Sequence, residues 1–302
     1  NLPNISDFEL GRVIAEHKER YLVGTKKGEV EAEITGNMRY SANSREDFPA
    51  VGDWVTLISY DTEFAIINEV LPRFSVLKRQ AVGRFGEIQI IGANIDYALI
   101  MQAVNRDFNI NRLERYLTIC YSSKVNPIVV LTKTDLINNE DLNALTDKIK
   151  RRFENVQFFA ISNQTKNGYE ALSGIFEKGR TYCMLGSSGV GKSTLLNNLS
   201  GKNVMKTDDI SKSTNKGRHV SSHRELTVLK NGGILIDNPG MREVGIVSDE
   251  SGLKNTYDKI VELSQNCRFN DCTHTNEIGC AVIGAVDSGE IEKRYYQNYL
   301  KL

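Results

Sequence analysis

Gly186-Ser187-Ser188-Gly189-Val190-Gly191-Lys192-Ser193-Thr194 reads G-x-x-x-x-G-K-S, the pattern of a P-loop. The apolar run Thr181-Tyr182-Cys183-Met184-Leu185 before it has the character of a buried strand, and Ser193 to Leu199 reads as the first turns of a helix. Strand, glycine loop and helix in succession are the context this motif requires. The glycines let backbone N–H groups face a phosphate, and the helix N-terminus adds positive dipole character at the same point. On this reading the loop from Gly186 through Ser187, Ser188, Gly189, Val190 and Gly191 to Thr194 wraps the phosphates. Lys192 reaches the β- and γ-phosphates, and the Ser193 hydroxyl takes a Mg²⁺ position. The bland alternative is an ordinary glycine-rich turn, against which the flanking elements count.

Upstream of the loop, strand-like and helix-like segments alternate. Ile95–Met101, Pro127–Leu131 and Val156–Ile161 are strand candidates. Asn111–Ser122, Asp141–Phe153 and Gly168–Phe176 carry apolar residues at helical spacing. Alternation of this kind predicts a doubly wound α/β parallel sheet with helices on both faces. Cys120 and Cys183 fall on its buried faces and read as small core hydrophobes.

A P-loop does not name the base. Thr132-Lys133-Thr134-Asp135 does, because it follows a buried strand at the carboxyl edge where open sheets bind ligands. It resembles the [N/T]-K-x-D element of GTPases, in which the carboxylate (here Asp135) accepts from the ring N–H and amine of guanine. The stem of Lys133 can lie along the base. Ala160-Ile161-Ser162-Asn163, after the next strand, resembles the following base-contact element more loosely, and an ordinary β–α turn reads as well there. Ile234-Leu235-Ile236-Asp237-Asn238-Pro239-Gly240 fits D-x-x-G, with Asp237 directed at Mg²⁺ and Gly240 at the γ-phosphate. The polar stretch 211–224 between it and the P-loop suits a switch loop. Ordinary small GTPases place the base motif after the P-loop. Here Thr132–Asp135 precedes it, so the expected sheet is that of a circularly permuted P-loop GTPase.

The chain has 302 residues, enough for two or three domains. Lys plus Arg and Asp plus Glu both number 38, so no global basic field points to nucleic acid and any such contact must use local patches. No apolar run approaches the roughly 18 residues of a spanning helix, and the first residues, beginning at Asn1 without Met, do not read as a signal peptide. A cytoplasmic protein off the membrane is the expectation. Five cysteines, three in one short segment, favour a reducing compartment and a metal site over disulfides. Cys267, Cys272, His274 and Cys280 form a Cys₃His set suited to one structural, tetrahedral Zn²⁺. The competing reading is three unrelated cysteines near a histidine.

Residues 1–72 contain five short β-rich runs: Arg12–Ala15, Tyr21–Val23, Val30–Ile34, Asp53–Ile58 and Phe64–Ile67. They predict a small barrel of OB-fold type, with an SH3-like barrel as the alternative. Lys26, Lys27, Arg39, Tyr40 and Arg45 offer either a phosphate-contacting face or an ordinary solvated one. Trp54 reads as a barrel core or rim residue. Residues 73–92, with Arg73, Lys78, Arg79 and Arg84, read as a basic linker. Ala281 to Leu302 reads as helical, with Ile291, Arg294, Tyr295 and Tyr299 on one face.

With the permuted order, Ala50-Val51-Gly52-Asp53-Trp54-Val55, Gly217-Arg218-His219-Val220-Ser221-Ser222-His223-Arg224-Glu225 and the Cys/His cluster in hand, the chain resembles the RsgA family (also YjeQ, YloQ or EngC) of ribosome small-subunit-dependent GTPases. The resemblance runs from about Gly11 to the C-terminus. It implies a multidomain protein: an N-terminal OB-fold RNA-binding barrel (1–72), a linker (73–92), a permuted GTPase domain (93–246) and a zinc-binding helical domain (247–302). It also implies late maturation of the 30S subunit, contact with 16S rRNA, and hydrolysis of GTP to GDP stimulated by the subunit, by a chain expected to be a monomer. The family pattern G-x-H-T-T-T departs here to His219-Val220-Ser221-Ser222, and the Mg²⁺-binding hydroxyl is carried to Ser221. Met241 stands where many GTPases place a water-orienting Gln, so slow intrinsic hydrolysis is expected, with His219 as the candidate polar group. Two other classes compete: an RNA-binding module whose nucleotide site binds GTP without hydrolysis, and a P-loop ATPase or kinase, against which Asp135 argues.

Overall fold

A computed structural model describes residues 8–17, 20–61, 63–80, 88–105, 108–153, 155–201, 225–237, 256–269 and 271–300. The switch stretch 211–224, with His219 and Ser221, lies outside these residues, as do Gly240 and Met241.

Five strands build the N-terminal unit: β1 (Glu9–His17), β2 (Arg20–Thr25), β3 (Gly28–Ile34), β4 (Trp54–Ser59) and β5 (Phe64–Val70). β1 pairs antiparallel with both β2 and β4, β4 with β5, and β3 lies parallel to β5. The sheet therefore closes on itself, in the 1-2-3-5-4-1 order of an OB barrel, which the spacing of the five runs predicts. Alternate side chains fill it: Val13, Tyr21, Val23, Val30, Ala32, Ile34, Val55, Leu57, Ala65 and Ile67. Each fully buried Val, Leu or Ile among them contributes about 1.5–3 kcal/mol. Trp54 points the other way from Val55 and is 40% exposed on the rim, under the Arg12 guanidinium at 5.3 Å. Helix α1 (Gly36–Ser41) crosses between β3 and β4, capped by the Thr35 hydroxyl.

The stretch 73–92 is not an open tether. Val76–Gln80 (β6) and Ile88–Ala93 (β7) pair antiparallel, and Leu77 is fully buried. Arg73 is turned inward, donating to both Asp53 carboxylate oxygens at 2.8 and 2.7 Å and to the carbonyls of Glu46 and Phe48. Lys78 pairs with Glu46. These two cations are thus committed to the fold. Sequence spacing missed the pairing because each strand is only five or six residues long.

The central unit follows as β8 (Tyr97–Ala103), α2 (Ile110–Ser122), β9 (Asn126–Thr132), α3 (Asn139–Arg152), β10 (Gln157–Ala160), α4 (Tyr169–Ser173), β11 (Thr181–Leu185), α5 (Lys192–Ser200), β12 (Glu225–Val228) and β13 (Ile234–Asp237). The strand order is β10-β9-β8-β11-β13-β12, parallel except for β12. Along β8, Ala98 and Ile100 face α2 and α3, while Leu99 and Met101 face α4 and α5. That two-sided burial makes the strands read as continuous apolar runs rather than alternating ones.

Beyond β12 the sheet continues into the barrel: Ala15 of β1 pairs with Glu225. A bulge in β1 between Val13 and Ala15 shifts its register against β2 at the same point. Arg12 stitches the same seam, donating to the carbonyls of Gly52 and Asn94 and to the Thr181 hydroxyl at 2.8 Å.

The C-terminal unit is α6 (Asp258–Ser264), α7 (Ala281–Asp287) and α8 (Lys293–Tyr299), around Tyr257, Ile260, Cys280, Val282, Ala285, Ile291 and Tyr295. The single helical face expected over 281–302 is broken. Gly289 takes φ +80°, which ends α7, and the chain turns before α8. Ile291 and Tyr295 are buried as expected, whereas Arg294 is exposed.

Candidate functional site

The P-loop leaves the central strand β11 at the carboxyl edge of the sheet, beside β8 and β13. Gly186, Gly189 and Gly191 all take positive φ. At Gly191 two constraints coincide: φ is +99°, and a Cβ would lie 2.3 Å from the Asn163 amide nitrogen. Ser188 and Gly189 are exposed at the loop crest, Ser187, Ser193 and Thr194 are half-buried, and Val190 is buried in the core under α5. Lys192 opens α5, and its Nζ folds back to donate to the carbonyls of Gly186 and Ser187 at 2.7 and 2.9 Å. Burial pulls this amine below its ordinary value, and the Asp237 carboxylate pulls in the other direction. Asp237 is buried at the end of β13, so the residue expected near Mg²⁺ lies close enough to the P-loop lysine for their charges to interact.

Two strands away, β9 delivers the base motif. Thr132 is fully buried, and its hydroxyl donates to the Val190 carbonyl at 2.7 Å, tying this motif to the P-loop. Lys133 takes left-handed geometry with φ +60°, which turns the chain into a single 3-10 turn over Thr134–Leu136. The Asp135 carboxylate accepts from the Ser162 hydroxyl at 2.5 Å. Ser162 is itself buried and accepts from the N–H groups of Gln164 and Thr165. Asn163 meets the P-loop: its Nδ2 donates to the Gly191 carbonyl at 3.0 Å. The structure thus brings Thr132, Lys133, Asp135, Ser162, Asn163, the loop 186–194 and Asp237 to one edge of one sheet. It commits the Asn163 side chain to the P-loop rather than leaving it free for a base.

Sequence reasoning passed over three neighbours. Arg112, in the first turn of α2, donates to the Ser187 hydroxyl at 3.3 Å. Tyr169 and Asn198 complete a polar chain behind Asn163. None belongs to a motif, and only their placement in the folded chain draws attention to them.

The second cluster is Cys267, Cys272, His274 and Cys280, whose ligand atoms all lie within 4.8 Å of one another. The imidazole presents Nδ1, at 3.5 Å from the Cys267 sulfur and 3.4 Å from that of Cys280. Burial works to raise the Cys267 thiol, but the N–H groups of Ala281 and Val282 at the start of α7, together with the Cys280 and Cys272 thiols, outweigh it, so the thiol ionises below its ordinary value. Burial lowers His274, which favours the neutral, ligating ring. Three sulfurs and one nitrogen converging on a point fit a structural zinc site.

Cutting an ordinary GTPase sheet after its D-x-x-G strand, and joining its old ends, gives this order: base-motif strands first, P-loop strand fourth, still at the centre. The chain is therefore a circularly permuted P-loop GTPase, a class that works with Mg²⁺. The family model described as RsgA GTPase matches residues 70–247. Small ribosomal subunit biogenesis GTPase RsgA 2 of Listeria monocytogenes (serotype 4b, strain F2365) is 42% identical over 292 residues, covering 97% of this chain and 82% of the relative. The protein of the same name from Lactiplantibacillus plantarum is 44% identical over 293 residues, covering 97% and 82%. The fold is shared with YjeQ from Thermotoga maritima (TM-score 0.73, 24% identity, 97% and 96% covered) and with YloQ, a circularly permuted GTPase (TM-score 0.70, 23% identity, 100% and 96% covered). This chain belongs to the RsgA GTPase family.

Proposed function

We propose that the chain hydrolyses GTP to GDP and phosphate in the service of small ribosomal subunit biogenesis, with turnover stimulated by the 30S subunit. The observation that carries the reading is the Thr132–Val190 hydrogen bond, which sets the Asp135–Ser162 pair beside the P-loop at one sheet edge. In this reading Asp135 accepts from guanine, with Lys133 against the base and the turn at Ser162 and Asn163 closing over it. Gly186 to Thr194 surround the phosphates. Lys192 exchanges its two carbonyl partners for phosphate oxygens, which carry more negative charge. Ser193, Ser221 and Asp237 would hold Mg²⁺, which would supply charge neutralisation at the phosphates. Gly240 is directed at the γ-phosphate, and His219 orients the attacking water. His219, Ser221 and Gly240 enter from the sequence alone, being outside the described residues. Catalysis then rests on positioning and electrostatics.

The names of the relatives support the small ribosomal subunit as partner. The finer reading is contact with 16S rRNA through the barrel and the zinc unit, by a monomer in the cytoplasm that does not use a membrane. Among the described residues no helix is long and apolar enough to cross one. In this reading the chain divides at 1–72, 73–92, 93–246 and 247–302.

The test is phosphate release from GTP, titrated with purified 30S and with 50S subunits, with ATP as control. Slow release alone, a rise with 30S only, and none from ATP are expected. Binding of GTP without release at saturating 30S would make the chain an RNA-binding module instead. Asp135→Ala is expected to weaken GTP binding by about 10–100-fold, the effect of losing a charged hydrogen-bond partner. His219→Ala is expected to lose the 30S-stimulated rate, and full stimulated turnover would remove it from the mechanism.

A further inference from the structure

The following rests on the guanine nucleotide reading of the site. Asn163 stands between the base-side turn after β10 and the last glycine of the P-loop. Its Nδ2 donates to the Gly191 carbonyl at 3.0 Å. A carbonyl can only accept, so the amide orientation is fixed, and its Oδ1 must face a donor. That donor is the Tyr169 hydroxyl, at 2.5 Å. Since the phenol proton points at Asn163, the phenol oxygen must accept from elsewhere, and Asn198 Nδ2 on α5 donates to it at 2.7 Å. The direction of each bond is thus forced by the one before it, from Asn198 through Tyr169 and Asn163 to Gly191. Burial raises the Tyr169 phenol above its ordinary value, so it keeps the proton this chain needs. The Lys166 amine lies 5.1 Å over the Tyr169 ring, a favourable cation–π contact. The Asn163 amide also occupies the space a side chain at 191 would take. The amide is therefore wedged against the loop as well as bonded to it.

We propose that Tyr169 and Asn198 are positioning residues for nucleotide binding, whose hydrogen-bond relay locks the Asn163 amide across the gap between base-side turn and P-loop. The base-side turn and the phosphate loop then move as one piece. A nucleotide seated in both cannot leave by loosening one at a time, and release of GDP is slow. Nothing in the base motif or the P-loop motif itself specifies this link.

The experiment uses the full chain and a fluorescent GDP analogue, with the dissociation rate as readout. Tyr169→Phe leaves Asn163 Oδ1 and Asn198 without partners and is expected to speed GDP release about tenfold. Asn163→Ala is expected to do the same. The two together are expected to release GDP no more than about twice as fast as either alone, because they break one relay. A general loosening of the fold would instead multiply the two effects. Asn198→Ala, which removes only the donor to the phenol oxygen, is expected to give about a threefold rise, and it carries the test if Tyr169→Phe does not fold. Unchanged release in Tyr169→Phe and Asn198→Ala, or multiplying effects in the double variant, would overturn the proposal. Failure of the unsubstituted chain to bind GDP would overturn the nucleotide reading itself, and is seen before any substitution is made.

Discussion

Lys192 is the residue whose environment most directly predicts a measurable behaviour. Its folded-state amine sits below the ordinary value of 10.5 because burial disfavours the charge. Bound phosphates restore the charge, so binding takes up a proton wherever the free amine has lost one. GTP affinity is therefore expected to be flat on the acid side of the free-state Lys192 value. It falls as pH rises through that value, at a pH lower than an exposed lysine would give. A titration of affinity against pH checks this, and Lys192→Arg is expected to remove the alkaline fall. Gly191→Ala is a second residue-scale case. It places a side chain at φ +99° and into the Asn163 amide, so binding of GTP and GDP is expected to drop by at least about tenfold with only a modest change in melting temperature. The motif residues 186–194 and 132–135 were legible in the sequence because phosphate and guanine impose fixed spacings on the backbone. Tyr169 and Asn198 were not. They are related by hydrogen bonds across α4 and α5, and no local pattern encodes that.

At the scale of elements, the alternation of β8 to β11 with their helices was legible because each face of the sheet needs its own apolar stripe, whereas the short antiparallel β12 was not read. The barrel strands were legible because turn residues separate them. The β6–β7 pair was not, since its strands are short and its charged residues, Arg73 and Lys78, look like a tether until their partners Asp53 and Glu46 are seen. The break between α7 and α8 was signalled by Ser288-Gly289, but the spacing of Ile291, Arg294, Tyr295 and Tyr299 after it suggested one continuous helix. The zinc unit makes a prediction of its own. Its described helices are seven residues each, too short to hold without help, and its core is small. Removing metal with a chelator, or Cys272→Ser, is expected to unfold α6 to α8, read as loss of amide protection there. GTP binding by the central sheet is expected to survive.

Across the whole molecule, the central and C-terminal units are joined by a buried charged cluster. Glu114 on α2 is fully buried, and Arg152 at the end of α3 pairs with it at 2.5 Å and with Glu292 at 2.8 Å. Asn298 on α8 donates to Glu114 at 2.7 Å, and the Arg152 guanidinium lies 4.9 Å from the Tyr295 ring centre. Arg152→Met leaves Glu114 buried without its cation and is expected to cost about 3–5 kcal/mol in unfolding by denaturant. Adding Glu114→Leu is expected to recover much of that, because an apolar pair of similar volume removes the orphaned charge.

The bulged strand β1 has a consequence for how the chain is made. The barrel strands contact one another within the first 70 residues and can close as soon as they emerge. The partner of Ala15 is Glu225, made about 200 residues later, or roughly 10–40 s at ordinary rates of synthesis. The Thr181 hydroxyl that receives Arg12 also arrives late. During that interval the end of β1 around Ala15 is an open strand edge, and until Asn94 and Thr181 have been made the Arg12 guanidinium is short of two partners. Those are features that invite pairing with the wrong chain. The same seam that makes barrel and sheet continuous in the finished protein is thus completed only long after the barrel itself, and exchange between neighbouring nascent chains has that interval in which to occur.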